Sequence, residues 1–397
     1  MTTRRTALRI SLAVAAAAMG RAGAIGSLAL AESNASFPPD IPSVDKVLVV
    51  YNSSSTDSVA VKDYYIANRP GFANVSILAI STVETEAITQ SGFETTIRQP
   101  IVDWLLAHPQ KTIYYIVLLR GIPSRGPYNN WSVAYQLSRA YRDLGIRQGP
   151  SYGTQSAGGA SATYNVHYDP ATYPGTTALV MHLNMGSQSA TFAYIDKLKA
   201  MYNAMPAPKV AISAQAAGKA NNNYYLDEAA AIFGAASNSL RADRDALVGA
   251  GIPAARVTYV PPTAPVHITK ASNVRGYETW GSNGRLGQDY AVDGAIIFSG
   301  DSGWYLIKTV ESYNGMWDGG GYQGNFVRWF SANAFGGINY SNTPVGAVCH
   351  VEEPLLTGVN SSAYLLDWEQ GFIFAEAAWD SSRTPFFMAV GDPLVTR

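Results

Sequence analysis

The chain has 397 residues, 47% of them hydrophobic, with 28 basic against 29 acidic side chains and a single cysteine. So even a balance, with no basic stripe, excludes nucleic acid as an expected partner, and one cysteine excludes an intramolecular disulfide framework. The length suffices for one large or two ordinary domains with full cores.

In "MTTRRTALRISLAVAAAAMG" the pair Arg4-Arg5 precedes an apolar run from Ile10 to Met19, and Ala29-Leu30-Ala31 offers a small-x-small cleavage site. The run is shorter than the ~20 apolar residues of a membrane span. Residues 1–31 therefore read as an export signal. The paired arginines suit the twin-arginine route, with an ordinary secretion signal as the alternative. Its removal takes away four arginines and no acid, which moves the formal charge from −1 to −5. The expected mature protein is exported, periplasmic or extracellular, and carries no transmembrane span. Residues 32–44 read as a linker.

"DKVLVVYN" (45–52) is an unbroken apolar run, the mark of a strand buried on both faces. The Ser/Thr/Asp cluster after it offers helix caps, and Val59, Tyr64 and Ile66 begin an amphipathic pattern. "NVSILAIS" reads as a second strand, "FETTIRQPIVDWLLAHP" as a helix, and "TIYYIVLLRGIP" as a third strand. This alternation predicts a parallel sheet covered by helices. Texture changes from about 127 to 177 to Tyr, Asn, Gly and Ser with little periodicity, which reads as a surface insertion holding a short helix at "SVAYQLSRAYRDLG".

Alternation then resumes with strands at "TALVMHLNM", "PKVAISA", "ARVTYVP", "DGAIIFSG" and "PVGAVCHV", and a last one at "FFMAV". Helices are expected at "SATFAYIDKLKAMYNAM", throughout "NNYYLDEAAAIFGAASNSLRADRDALVGAG", and at "SSAYLLDWEQGFIFAEAAWDS". Residues 45–397 thus form one expected α/β domain with an insertion.

Ligands of open α/β sheets sit beyond the carboxyl ends of strands. That rule nominates Asn52, Arg120, His182, Ser299 to Ser302, and Cys349 to Glu353. Asn52, Arg120, Asp301 and Glu353 are expected to converge, with Asn52, Arg120, Glu352 and Glu353 as ligand-binding candidates.

Cys349 and His350 are strand neighbours and point to opposite faces, so they cannot form a dyad by themselves. Cys349 reads first as a buried core residue and second as a nucleophile needing a distant base such as His182. His350 with Glu352 or Glu353 lacks a third metal ligand, so neither metal nor cofactor is expected. "SGDSGW" sets Asp301 and Ser302 at an expected strand-to-helix junction, where both are ordinary caps, although catalysis stays an alternative. Aromatic residues of the insertion and of "YNGMWDGGGYQGNFVRWF" could stack on sugars or simply pack their loops. Gly391-Asp392-Pro393 reads as a turn whose Asp392 carboxylate bonds backbone amides.

"VLVVYNSSSTDSVAVKDYYIANRPGFANVSIL", "IRQPIVDWLLAHPQKTIYYIVLLRGIP" and "GAVCHVEEPLL…WEQGFIFAEAAWDSSRTPFFMAVGDPL" resemble, in order, blocks of a bacterial exported family of unknown function. The last block also resembles the gingipain branch of caspase-like cysteine peptidases. That likeness implies a caspase-like α/β/α sandwich. Those peptidases carry His-Gly at one strand end and a Cys at the next. Here the first position reads Ser299-Gly300-Asp301, and Cys349 lies in the strand just before Glu353-Pro354. Both departures argue against the peptidase dyad.

The leading expectation is an exported protein on that scaffold with no identified chemistry. A cysteine peptidase or other hydrolase using Cys349, and a module binding glycan, cell-surface polysaccharide or peptide, are the alternatives. Whether the chain is an enzyme stays open.

Overall fold

The apolar runs become strands where flanking polar residues can leave the sheet. In the computed structural model these are β1 (Val47–Asn52), β2 (Ser76–Ile80), β3 (Tyr115–Leu119), β4 (Leu179–Leu183), β5 (Ile212–Ser213), β6 (Asn223–Asp227) and β7 (Val257–Val260). They continue with β8 (Lys270–Ser272), β9 (Val274–Thr279), β10 (Ile297–Ser299), β11 (Leu306–Thr309), β12 (Gly346–His350), β13 (Phe387–Gly391) and β14 (Val395–Thr396). The main helices are α1 (Thr56–Asn68), α2 (Gln99–Ala107), α3 (Val133–Ser138), α4 (Gln188–Ala204), α5 (Ser239–Gly249), α6 (Phe326–Trp329), α7 (Ala363–Glu369) and α8 (Phe374–Asp380). The structure describes residues 44–111, 113–127, 130–138, 178–205, 212–213, 222–229, 239–281, 296–317, 324–354, 363–382 and 384–397. The expected export signal, most of the linker and most of the 127–177 insertion lie outside them.

Ten strands form one sheet in the order β2-β1-β3-β4-β13-β12-β11-β9-β6-β7. Pairing is parallel from β2 through β4 and again from β12 through β7, and β13 runs antiparallel to β12. Ala389 and Val390 of β13 lie beside Met181 and His182 of β4. β10 pairs with β8, and β14 with β5, in two small separate sheets. The molecule is therefore α/β with a large, mostly parallel central sheet flanked by helices, an arrangement consistent with a three-layer sandwich. Among the described residues no helix is long and apolar enough to cross a membrane.

Each helix follows from local signals. Ser55 caps α1, its side chain accepting from the Ser58 amide, and Ser187 caps α4 through Ala190. α1 buries Ser58, Val61 and Tyr65, while Val59, Tyr64 and Ile66 are only half-buried, so the apolar face lies one position round from the expected one. A π-helical turn, Phe93–Arg98, precedes α2 and resets its face so that Ile97, Ile101 and Leu105 are all buried. The last expected helix breaks into α7 and α8 at Gly371, whose φ of 87° suits glycine.

Three expectations fail. "NYYLD" is the strand β6, not the start of a helix: its paired tyrosines fit a buried pleated surface better than the alanines beyond it suggest. β9 and β11 were not expected at all, because Arg275, Glu278 and Lys308 interrupt their apolar pattern. "SGDSGW" leads from β10 into the strand β11 rather than into a helix.

The expected turn at Asp392 is present, its Oδ1 accepting from the Leu394 amide at 2.9 Å. Asp392 also holds Arg69 through two bonds, Nε to Oδ2 at 2.6 Å and Nη2 to Oδ1 at 3.0 Å, and accepts from the Tyr65 hydroxyl at 2.7 Å. This buried cluster locks the end of α1 to the end of β13.

Candidate functional site

The loops leaving β1, β2, β3, β4, β11 and β12 meet on one rim, and side-chain contacts stitch them together. Asn52 ends β1. Its Nδ2 donates to the carbonyls of Thr82 and Gly121, each at 2.9 Å, and its Oδ1 accepts from the amides of Ser54 and Thr82. Every polar group of this buried side chain is thus spent on holding three loops in place. Gly121 has to be glycine, since φ is +90° and a Cβ would lie 2.7 Å from the Ser55 Oγ.

Arg120 follows β3. Its Nε donates to Asp57 at 2.8 Å, and its Nη1 donates to the Gly186 carbonyl at 2.9 Å and to Asn184 Oδ1 at 3.2 Å. The guanidinium carbon stands 5.7 Å from the centre of the Trp317 ring, a cation–π distance. Trp317 belongs to the loop after β11, so this contact joins the two parallel runs of the sheet.

Glu86 is the hub between them. Its backbone carbonyl accepts from the Ser124 and Arg125 amides, and its carboxylate accepts from the Ser124 hydroxyl and, at 2.6 Å, from the Trp317 amide. Arg125 reaches across to Glu352, which also accepts from Tyr313. Ser312 donates to Glu353 at 2.5 Å. Burial pushes the Glu352 carboxyl upward, but the bonds from Tyr313, the Glu353 amide and Arg125 outweigh it and hold the group below its ordinary range. The same Glu352 bond, with burial, pushes the Tyr313 phenol up to about 12.

Tyr313 sits at φ 58°, a left-handed conformation that a bulky residue rarely adopts. Asn314 enforces it: the His350 amide donates to its Oδ1 at 2.6 Å, its Nδ2 donates to Thr309 Oγ1 at 2.9 Å, and the Gly315 amide donates to the His350 carbonyl at 2.9 Å. Strain held by surrounding bonds is a feature that clusters at ligand sites.

Of the residues nominated from sequence, Asn52, Arg120, Glu352 and Glu353 come to this rim. Asp301 and Ser302 do not. Asp301 takes Asn222 Nδ2 on its carbonyl at 3.0 Å, and its amide donates to Asn273 Oδ1 at 2.8 Å, which puts it beside the amino ends of β6 and β9. Ser302 Oγ donates to the Ser299 carbonyl and accepts from the Val274 amide, a structural bond at the start of β9. Their strand, β10, belongs to a small separate sheet, so its carboxyl end does not open onto the rim of the central sheet.

Cys349 is fully buried in β12, and burial, helped by the nearby Glu311 charge, pushes its thiol well above the ordinary range. A Cβ on Gly315 would lie 3.1 Å from the Cys349 Cβ, so the chain closes directly over it. His182 is buried in β4, with β13 lying between its strand and that of Cys349. Burial lowers its pKa to about 4, and its Nε2 has no hydrogen-bond partner among the described residues. The two side chains share no hydrogen bond. Among the described residues, no group of three His, Cys, Asp or Glu is placed to hold a metal ion.

Sequence reasoning missed Glu86, Ser124, Arg125, Tyr313 and Trp317. A faint signal existed for four of them: Ser124-Arg125 follows the Gly-Ile-Pro that stops β3, and Tyr313 and Trp317 lie in the aromatic stretch that could stack on sugars. No family model matches this chain, and no curated protein or solved structure matches it either.

Proposed function

We propose that the chain is an exported protein on a caspase- or gingipain-like scaffold that works by binding, and that its ligand is a cell-surface polysaccharide met at the rim. The observation that carries this reading is the burial of Cys349. A nucleophilic thiol needs exposure and an electropositive or basic neighbour, whereas this one is covered by the Gly315 turn and faces the charge of Glu311. The mostly parallel sheet, with β13 antiparallel to β12 near its middle, supports the scaffold.

The rim supports the ligand class. Trp317 and Trp131 are half-buried aromatic rings on the rim loops. Trp317 lies against the Arg120 guanidinium and is tied through its amide to Glu86, and Trp131 is next to Ser132, which bridges to Arg125. Flat apolar faces near carboxylate and guanidinium groups suit the alternating apolar and hydroxyl surfaces of sugars. Fixed loops suit binding, since a preorganised site loses little entropy on capture.

Two measurements on the full chain test this. Iodoacetamide should label native Cys349 far more slowly than the unfolded chain, and a polysaccharide array should show binding that survives Cys349→Ala and is lost in Trp317→Ala. Labelling of the native protein at the unfolded rate, or peptide cleavage abolished by Cys349→Ala, would overturn the reading in favour of a thiol peptidase. Binding of peptides with no polysaccharide captured would overturn the ligand class.

A further inference from the structure

A second cluster lies away from the rim and is not used by the reading above. Lys308 of β11 is buried between Glu278 of β9 and Asp243 of α5, with its Nζ 3.4 Å from Glu278 Oε1 and 3.4 Å from Asp243 Oδ2. Asp243 and Glu278 also hydrogen-bond to each other. Asp243 Oδ1 and Glu278 Oε2 are buried and have no further partner among the described residues.

Two carboxylates cannot hydrogen-bond to each other, because each can only accept. Their bond needs a proton. Two buried acids beside one ammonium also leave a negative charge in excess, which a protein interior tolerates poorly. One proton cures both faults.

We propose that a single proton shared between Asp243 and Glu278 clamps α5 onto β9 and β11, and that the clamp opens as the pH rises. Burial, then repulsion from Glu278, pushes the Asp243 carboxyl well above its ordinary range, against the pull of Lys308. For Lys308, burial works against the charged form, but Glu278 and Asp243 outweigh it and raise the group, so it remains an ammonium. Both shifts have the same sign. A folded state that holds an extra proton loses stability as pH rises from the ordinary carboxylate range through the raised value.

Among the described residues, the other ionisable groups packed around α5 do not supply the missing charge. Glu228 stands near Glu278 but is held by the Leu240 amide and the Tyr259 hydroxyl. Asp227 accepts from the amides of Ile268 and Ala229, and Tyr224 donates to Glu369. Tyr364 of α7 stands near Glu278 but directs its hydroxyl at the Ile307 carbonyl, at 3.3 Å, and Asp367 of the same helix is buried and acidic as well. On α5 itself, Arg241 and Arg244 pair with Asp245.

Hydrogen exchange of the full chain tests this directly, followed from about pH 5 to about pH 9 and corrected for the intrinsic pH dependence of exchange. Protection of the α5 amides should fall by up to about tenfold per pH unit across the transition, the limit for one proton, while α4 stays protected. Asp243→Asn should flatten the profile, because the asparagine amide supplies permanently the donor that the proton supplied. Glu278→Gln should do the same from the opposite side. Unchanged α5 protection in the native sequence would overturn the proposal whether or not either variant folds, as would a decline that persists in both variants.

Discussion

The Arg69–Asp392 pair and the Asp243–Glu278–Lys308 group are both buried, yet one is balanced and the other is not. Asp392 meets a guanidinium in fork geometry, with each carboxylate oxygen also accepting a second bond, from Tyr65 or the Leu394 amide. The other group sets two acids against one cation at 3.4 Å and leaves two oxygens without partners among the described residues. Burial alone therefore does not say whether an ionic cluster titrates. Charge count and unspent hydrogen-bonding capacity do. The first cluster should behave as a fixed bolt, and the second as a latch.

The sharpest way to break the comparison is to remove one partner from each. Asp392→Ala leaves Arg69 buried without its carboxylate, and breaking such a pair costs about 3–5 kcal/mol. Urea unfolding should show that loss equally at about pH 6 and about pH 9. A loss below about 1 kcal/mol would mean that surrounding packing fixes this corner without the pair.

Lys308→Met should instead show a loss that depends on pH. At the acid end, where the shared proton is present, the cost should be about 1–3 kcal/mol, that of poorly satisfied buried polar groups. Near pH 9 it should approach the 3–5 kcal/mol of a stranded charge. A pH-independent loss in this variant would erase the distinction between the two clusters.

His182 sharpens the same point with the opposite sign. Its folded pKa is about 4 against an ordinary 6.5, so the unfolded chain takes up a proton that the native state refuses. The contribution is fully present above 6.5 and is lost as the pH falls towards 4, up to roughly 3 kcal/mol. His182→Gln should flatten the acid side of a melting-temperature profile and leave the alkaline side to Asp243. An acid side unchanged by the substitution would show that His182 is not its source.

The contrast between apolar and charged interiors also decided how much could be seen in the sequence. "VLVVYN" and "YIVLL" are buried by apolar side chains alone, and they read as strands at sight. β9 and β11 are buried as deeply, but Arg275, Glu278 and Lys308 make them look like surface. Their charges are hidden by partners from α5, α7 and neighbouring strands, which no local pattern announces. The rim divides in the same way. Asn52, Arg120, Glu352 and Glu353 end strands and could be nominated by position. Glu86, Tyr313 and Trp317 come from loops with no period to read, and they meet only because the sheet brings those loops together.

The smallest expected effect, and the one closest to the rim, concerns Arg125. Its pair with Glu352 is partly exposed, at 23% and 14% for the two side chains, so Arg125→Ala should cost no more than about 1 kcal/mol. The pH dependence of that loss identifies its origin. Glu352 is held below its ordinary value of 4.5, so its contribution is present above that value and fades as the pH falls through the lower folded one. Arg125→Ala should therefore weaken the protein near neutral pH and make little difference in acid, where Glu352 is neutral and the pair is already broken. Tyr313 and the Glu353 amide remain to hold the carboxylate, which keeps the loss small. A loss of the same size in acid would show that Arg125 acts through the packing of its aliphatic stem instead. Polysaccharide capture should still fall at neutral pH, because the rim then lacks the guanidinium that faces Glu352. Capture unaffected by Arg125→Ala would remove this pair from the rim's binding surface and leave it as a brace between two loops.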